Sequence, residues 1–204
     1  MPHAPGSRFL GFGNMYSEAW IDRQHLNDAT AEQLIRVFAI YGQAGCTSPR
    51  RVVILNASHE NAMRWSDRLV ELWPQIAPAV AAPHTASQNL LFHQLATHAG
   101  AHARLTPGNR SIVAVADRSA EIPEGPQTLL LSGATLDEAV RSTPSNLQTL
   151  GLAVSAATHQ EIVQRATDMH VRRMVPLSQM HHFGSLWDGH LLAATFFDFI
   201  ETTP

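Results

Sequence analysis

Cys46 is the only cysteine in a chain of 204 residues. It stands in Tyr41-Gly42-Gln43-Ala44-Gly45-Cys46-Thr47-Ser48-Pro49-Arg50, between an amphipathic stretch at 29–40 and the β-branched run Arg51-Val52-Val53-Ile54-Leu55. Gly42 and Gly45 are poor helix residues, so something other than helix stability explains them. Small residues on both sides let an acyl group come close to the sulfur, and Ser48-Pro49 forces the chain out of helical geometry. Free cysteine often serves as a small buried hydrophobe. A lone thiol between a glycine and a turn instead has the setting of a nucleophile that bonds covalently to a carbonyl carbon.

Such a sulfur gains from a nearby base, which draws the thiol toward the reactive thiolate. Among the 12 histidines the candidates are His181 and His182, in Gln179-Met180-His181-His182-Phe183, and His190, beside Trp187-Asp188-Gly189. The alternative is that all three are ordinary loop histidines. His98 and His102, with His93 nearby, have the spacing of a zinc pair on one helical turn. No cysteine or carboxylate stands at a matching position, so no metal site is expected.

The elements that must position these residues alternate between strand-like and helical runs. Residues 17–22 read as a strand, Asn27-Asp28 caps the helix at 29–40, and 51–55 is a buried strand. Ser58 caps a long helix carrying Met63, Trp65, Leu69, Val70, Leu72 and Trp73 on its core face, which Pro74 ends or bends. After a connector at 78–83, a second long helix is expected over 86–103. Strands follow at 111–116, 127–131, 150–154 and 173–176, with helices at 137–142 and 160–170, the last placing Ile162, Val163 and Ala166 inward. This alternation predicts an α/β three-layer sandwich with a largely parallel sheet. The whole of 1–204 reads as one catalytic-type domain, with a disordered lead at 1–8 and an apolar tail at 190–204 that packs on this domain or on another chain.

Composition narrows the partners. A hydrophobic fraction of 45% supports a real core, and a net charge of −3 without a basic stripe argues against nucleic acid. One cysteine excludes an internal disulfide and fits a reducing compartment. The first residues lack the apolar stretch of a secretory signal, and no apolar run reaches membrane-spanning length, so a cytoplasmic location is expected.

Three segments together carry a family likeness: Gly11-Phe12-Gly13-Asn14-Met15-Tyr16-Ser17 leading into a strand, the cysteine segment leading into another, and a C-terminal set. That set comprises Asn146-Leu147-Gln148-Thr149-Leu150-Gly151, then Arg173-Met174-Val175-Pro176-Leu177, then Phe183 and Trp187-Asp188-Gly189. In order and over most of the chain, these resemble the fatty acyl-CoA reductases of the bacterial bioluminescence type, the LuxC family, a branch of the aldehyde dehydrogenase superfamily.

The resemblance implies the fold of the aldehyde dehydrogenase catalytic domain. It implies that Cys46 becomes S-acylated by an acyl thioester, from acyl-CoA or an acyl-carrier protein, before NADPH delivers hydride and aldehyde leaves. The backbone of Cys46 and its turn neighbours Gly45, Thr47 and Ser48 would hold the thioester oxygen as charge develops. Gln43, Trp187 and Asp188 would line the substrate or a domain interface. Hydrolytic relatives carry a glutamate base where this chain has Leu10-Gly11-Phe12-Gly13, which suits an acyl-cysteine kept from water. Gly11-Phe12-Gly13 precedes a strand and opens no helix, so it does not read as a dinucleotide fingerprint. The expectation is that this chain alone binds no cofactor. NADPH then enters only with a separate nucleotide-binding subunit, and homo-oligomerisation is the other assembly expected. Without that subunit the acyl group would pass to an amine, alcohol or second thiol, making a cysteine acyltransferase. A third expectation is a non-catalytic scaffold or binding module.

Overall fold

A computed structural model of the chain describes residues 15–41, 45–78, 82–125, 127–187, 189–191 and 194. The expected lead at 1–8, Gln43, Asp188 and most of the 190–204 tail lie outside the described residues.

Seven strands make one sheet in the order β3-β4-β5-β2-β1-β6-β7. They are β1 (Tyr16–Asp22), β2 (Arg51–Leu55), β3 (His102–Leu105), β4 (Ile112–Val115), β5 (Thr128–Ala134), β6 (Leu147–Ala153) and β7 (Arg173–Pro176). All neighbours run parallel except β3, which pairs antiparallel with β4 at one edge. The central strands read as almost unbroken apolar runs because helices cover both faces.

On one face lie α1 (Asp28–Ala39) and α2 (His59–Ile76), packed over Ala19, Ile21, Val52, Ile54, Val113 and Leu129. On the other, α3 (Pro83–His98) covers Ile112, Ala114 and Leu130, while α4 (Leu136–Arg141) and α5 (Ala156–Gln164) cover Trp20, Val53 and Leu150. Alternate residues of each strand feed opposite cores, as the period of two requires. The expected three-layer α/β sandwich with a largely parallel sheet is the architecture observed.

The helix starts follow their capping residues. Asn27 accepts the Thr30 N–H at the head of α1, and Ser58 with Asn61 forms a reciprocal cap on α2. Trp65 and Trp73 are core residues, the latter edge-on to Phe38 at 5.5 Å. Pro74 sits inside α2, which ends two residues later.

Two expectations are corrected. The helix expected over 86–103 stops at His98, and the next residues form the edge strand β3. Gly100, at φ +90°, adopts a left-handed conformation that releases the chain from the helix. His98 and His102 are therefore not one helical turn apart. His102 Nε2 instead lies 3.2 Å from an Asp67 oxygen, and His93 Nε2 lies 3.1 Å from the Ala103 carbonyl. Among the described residues no three His, Cys, Asp or Glu side chains gather where a metal ion could sit. Val163, expected inward, is 46% exposed, because α5 is a short helix that turns only Ile162 fully into the core.

Sequence patterning also gave no warning of a buried ion pair. Glu18, on β1 beneath α4, is fully buried and accepts from Arg118 Nη2 at 3.2 Å and from the Trp20 indole at 3.0 Å. Arg118 also reaches the Ser142 carbonyl at 3.1 Å, tying the β4–β5 loop to the end of α4. Nearby, Arg51 meets Glu124 at 2.8 Å and lies over the Tyr16 ring. Burial, reinforced by the Glu18 charge, holds the Tyr16 phenol well above its ordinary pKa. Removing one partner of such a pair strands the other charge. Glu18→Ala is expected to lower unfolding free energy by about 3–5 kcal/mol, and Glu18→Gln by less, as measured by urea denaturation.

Candidate active site

Parallel strands place every β2 entry at one end of the sheet, and the Cys46 turn occupies that N-terminal edge, directly before Arg51. The turn is short and closed: the Ser48 N–H donates to the Gly45 carbonyl at 2.9 Å. Cys46 itself is exposed, whereas Thr47 and Ser48 on its C-terminal side are buried. The sulfur therefore stands on a loop whose next residues are rooted in the protein.

Three ties root it. The Ser17 hydroxyl on β1 donates to the Cys46 carbonyl at 2.6 Å, and the Ser17 carbonyl accepts the Arg50 N–H at 3.0 Å. Ser17 stands where the β1–β6 register shifts by one residue, between the pairs Tyr16↔Leu147 and Ser17↔Thr149. An irregularity of this kind locally re-aims a strand residue, and such shifts recur beside active sites. The third tie is His181. Its Nε2 lies 2.6 Å from the Val37 carbonyl on α1, and its Nδ1 lies 2.7 Å from Thr47 Oγ1.

A carbonyl can only accept, so Nε2 carries a proton, and in the neutral ring Nδ1 accepts from the Thr47 hydroxyl. Tyr41 packs edge-on against the same ring at 4.9 Å. The space between Tyr41 and the turn is tight: a Cβ on Gly45 would meet Tyr41 Cδ2 at 3.3 Å. Burial holds His181 below its ordinary pKa, opposed by the Val37 hydrogen bond and assisted by the Arg173 charge.

His181 is carried on the 3-10 turn Leu177–Gln179 and the residues just after it. Arg173 on β7 organises this loop, donating to the carbonyls of Met180 at 2.8 Å, Gln179 at 3.0 Å and His182 at 2.6 Å. Met180 then packs against the sheet where β6 carries Gly151. A Cβ there would lie 2.4 Å from the Met180 sulfur, so this glycine makes room for the loop that delivers His181.

Of the residues singled out from the sequence, the structure thus brings together Gly45, Cys46, Thr47, Ser48 and His181. His182 follows in the same loop and is exposed. His190 lies opposite Trp187 in a small hairpin of β8 (Leu186–Trp187) and β9 (His190–Leu191). The ring of Trp187 stacks on Phe183 at 4.9 Å. The Ser48 hydroxyl is buried without a partner among the described residues. Sequence reading missed Ser17, Val37, Tyr41 and Arg173 as parts of the site, because each acts through a backbone group or a ring contact that only tertiary structure creates.

The chain matches the profile of one protein family, described as Acyl-CoA reductase (LuxC), over residues 2–195. It belongs to the LuxC family. Among curated proteins none matches it. Solved structures of similar fold are aldehyde dehydrogenases. A 1-pyrroline-5-carboxylate dehydrogenase from Thermus with bound NAD is 13% identical, with a TM-score of 0.56 over 89% of this chain and 38% of that one. Betaine aldehyde dehydrogenase from Staphylococcus aureus is 11% identical, with a TM-score of 0.56 over 81% and 38% of the respective chains. Glyceraldehyde-3-phosphate dehydrogenase from Methanocaldococcus jannaschii, complexed with NADP, is 10% identical, with a TM-score of 0.55 over 85% and 41%. At these identities the likeness concerns the fold alone. This LuxC-family chain spans about two fifths of the length of those enzymes. No helix among its described residues is long and apolar enough to cross a membrane.

The His181 geometry has a pH signature. Because folding lowers its pKa, the unfolded chain binds the proton more readily, and stability rises with pH through this group. The contribution is whole above 6.5, the ordinary histidine value, and declines as pH falls below it. Thermal melts from neutral to mildly acidic pH should show a steeper loss for wild type than for His181→Gln, whose amide can still bridge Val37 and Thr47. Thr47→Val, which removes the donor to Nδ1, is expected to cost about 1 kcal/mol by denaturant titration.

Proposed function

We propose that this LuxC-family chain processes acyl thioesters through an S-acyl intermediate on Cys46, as the catalytic half of a split NADPH-dependent reductase of acyl-CoA or acyl-carrier protein. The observation that carries this reading is the pairing of an exposed Cys46 with buried, hydrogen-bonded neighbours on the same turn. A nucleophile must be reachable, yet held in one geometry, if its attack is to be effectively intramolecular.

In the acylation step the Cys46 sulfur attacks the thioester carbonyl carbon. The new S–C bond forms as the bond to the donor's sulfur breaks, and the donor leaves as a thiolate that takes up the proton Cys46 gave. Backbone N–H groups of the turn at Gly45, Cys46 and Thr47 are the candidate donors to the oxygen that gains charge. Ser17 and His181 act as positioning residues: one fixes the Cys46 carbonyl and the other fixes Thr47. His181 does this with both ring nitrogens occupied, which leaves the exposed His182 and His190 as the remaining base candidates. Trp187 is retained as a lining residue.

Among the described residues the turns that follow β1, β2, β4, β5 and β6 contain no glycine-rich segment opening a helix, which supports a nicotinamide dinucleotide held outside this chain. The hydride that converts acyl-cysteine to aldehyde is therefore assigned to NADPH held by a partner subunit. The same lack of a cradle favours one alternative, a non-reductive acyltransferase that hands the acyl group to an amine, alcohol or thiol.

Intact-mass analysis after incubation with octanoyl-CoA or an octanoyl carrier protein tests the reading. Wild type should gain one acyl group and Cys46→Ala none. Aldehyde that appears only with NADPH and a nucleotide-binding partner supports the split reductase, and transfer to an added nucleophile without NADPH supports the transferase. No adduct from either donor would leave the chain a scaffold.

A further inference from the structure

Positive charge near the thiol is distributed unevenly. Arg51, which follows the cysteine turn, is neutralised by Glu124 at 2.8 Å. Arg172 and Arg173 form no ion pair with any described residue. Together with His182, Phe183, Ser185 and Leu186 they line a cleft of about 350 Å³ that contains no carboxylate among its lining residues. Arg173 is fixed by its three bonds to loop carbonyls, which leave its charge uncompensated. The Arg172 guanidinium packs beside Gly189, where a Cβ would lie 3.3 Å from Nη1. At the rim, Phe183 is 69% exposed and is backed by the Trp187 ring at 4.9 Å with an interplanar angle of 24°.

The cleft shares its loop with the residue that ties down the cysteine turn. His182 directly follows His181, whose Nδ1 is 2.7 Å from the hydroxyl of Thr47, the residue after Cys46. Two guanidinium groups with no carboxylate among the described lining residues favour an anion, and the planar fork of Arg172 matches phosphate oxygens. An exposed aromatic face braced by a second ring offers a stacking platform for a heterocyclic base.

We propose that this cleft binds the phosphate-bearing end of the acyl donor: the phosphate of a pantetheine arm whose thioester reaches Cys46, with Phe183 stacking the adenine when the donor is free coenzyme A. The assignment of the donor rests on the acyl-thioester reading above. The anion site itself rests on the cleft.

The test compares Cys46 acylation by octanoyl-CoA with acylation by octanoyl-N-acetylcysteamine, which has the same thioester but no phosphate. Arg172→Ala should lower the preference for octanoyl-CoA about tenfold, and Arg172→Lys should restore part of it. Because the readout is a ratio, a partly misfolded fraction cancels. A preference unmoved in Arg172→Ala overturns the proposal. A carrier protein bearing an octanoyl phosphopantetheine arm should show the same Arg172 dependence, while Phe183→Ala should weaken only the free nucleotide donor. Direct calorimetric binding of desulfo-coenzyme A separates the two readings. Saturable binding that weakens about tenfold in Arg172→Ala, with no acylation from any donor, keeps the site and removes the acylation reading. Acylation by the N-acetylcysteamine thioester without saturable binding of desulfo-coenzyme A removes the site and keeps the acylation reading.

Discussion

A neutral imidazole holds a carbonyl oxygen with one nitrogen and the proton of a hydroxyl with the other in one tautomer alone. His181 does this between Val37 on α1 and Thr47 on the cysteine turn. The contact joins three parts of the chain that are far apart in sequence: the end of the first helix, the turn before β2, and the loop after β7. Without it, the turn would be held by the Ser17–Cys46 and Arg50–Ser17 bonds and by its own closure at Gly45. The rest of the arrangement serves this clamp. Arg173 shapes the loop that bears His181, Gly151 clears space for Met180, and Tyr41 closes the ring's remaining face.

The sheet topology explains why these parts meet. β1 and β2 are adjacent, and the single connection between them contains both α1 and the cysteine turn. β6 and β7 lie on the far side of β1, so the chain leaving β7 must return along the edge of β6 to reach α1. A parallel sheet fixes the direction of every strand, so the β2 entry and the β1 start share an edge. Ser17 and Cys46 are thereby brought within hydrogen-bond distance although 29 residues separate them. The position of Cys46 is thus a consequence of strand order and one register shift.

The sequence revealed the elements far better than the ties between them. Apolar runs and caps located each strand of the core and each long helix, because burial on both faces and capping chemistry leave local traces. The β3 edge strand was hidden: His102-Ala103-Arg104-Leu105 continues a helical-looking stretch, and only the left-handed Gly100 interrupts it. Cys46 was legible because a lone thiol among small residues is conspicuous. Its supports were not. Ser17 is one of many serines, Val37 contributes only a carbonyl, and His181 is one of 12 histidines, with nothing local to separate it from His182. Glu18 was invisible for a related reason: its alternation on β1 matches an exposed face, and the Arg118 that neutralises it lies 100 residues away.

The placement of arginine charge carries the synthesis one step further. Every basic residue other than histidine is an arginine, in a chain of net charge −3. Arg36, Arg51, Arg68, Arg118 and Arg165 each meet a carboxylate, so their positive charge is spent within the fold. Arg172 and Arg173 meet no carboxylate among the described residues; Arg173 donates to three loop carbonyls and Arg172 packs beside Gly189. Two like charges lining one cleft, with no counter-ion among the described residues, gain nothing for folding. An arrangement that is unfavourable in the isolated chain becomes favourable when an anion binds between them, and the free energy released scales with how poorly the charges were compensated beforehand. His182, which lines this cleft, is the residue directly after His181 of the clamp. A single bound molecule could therefore be held at its anionic end by the arginines and presented at its other end to Cys46.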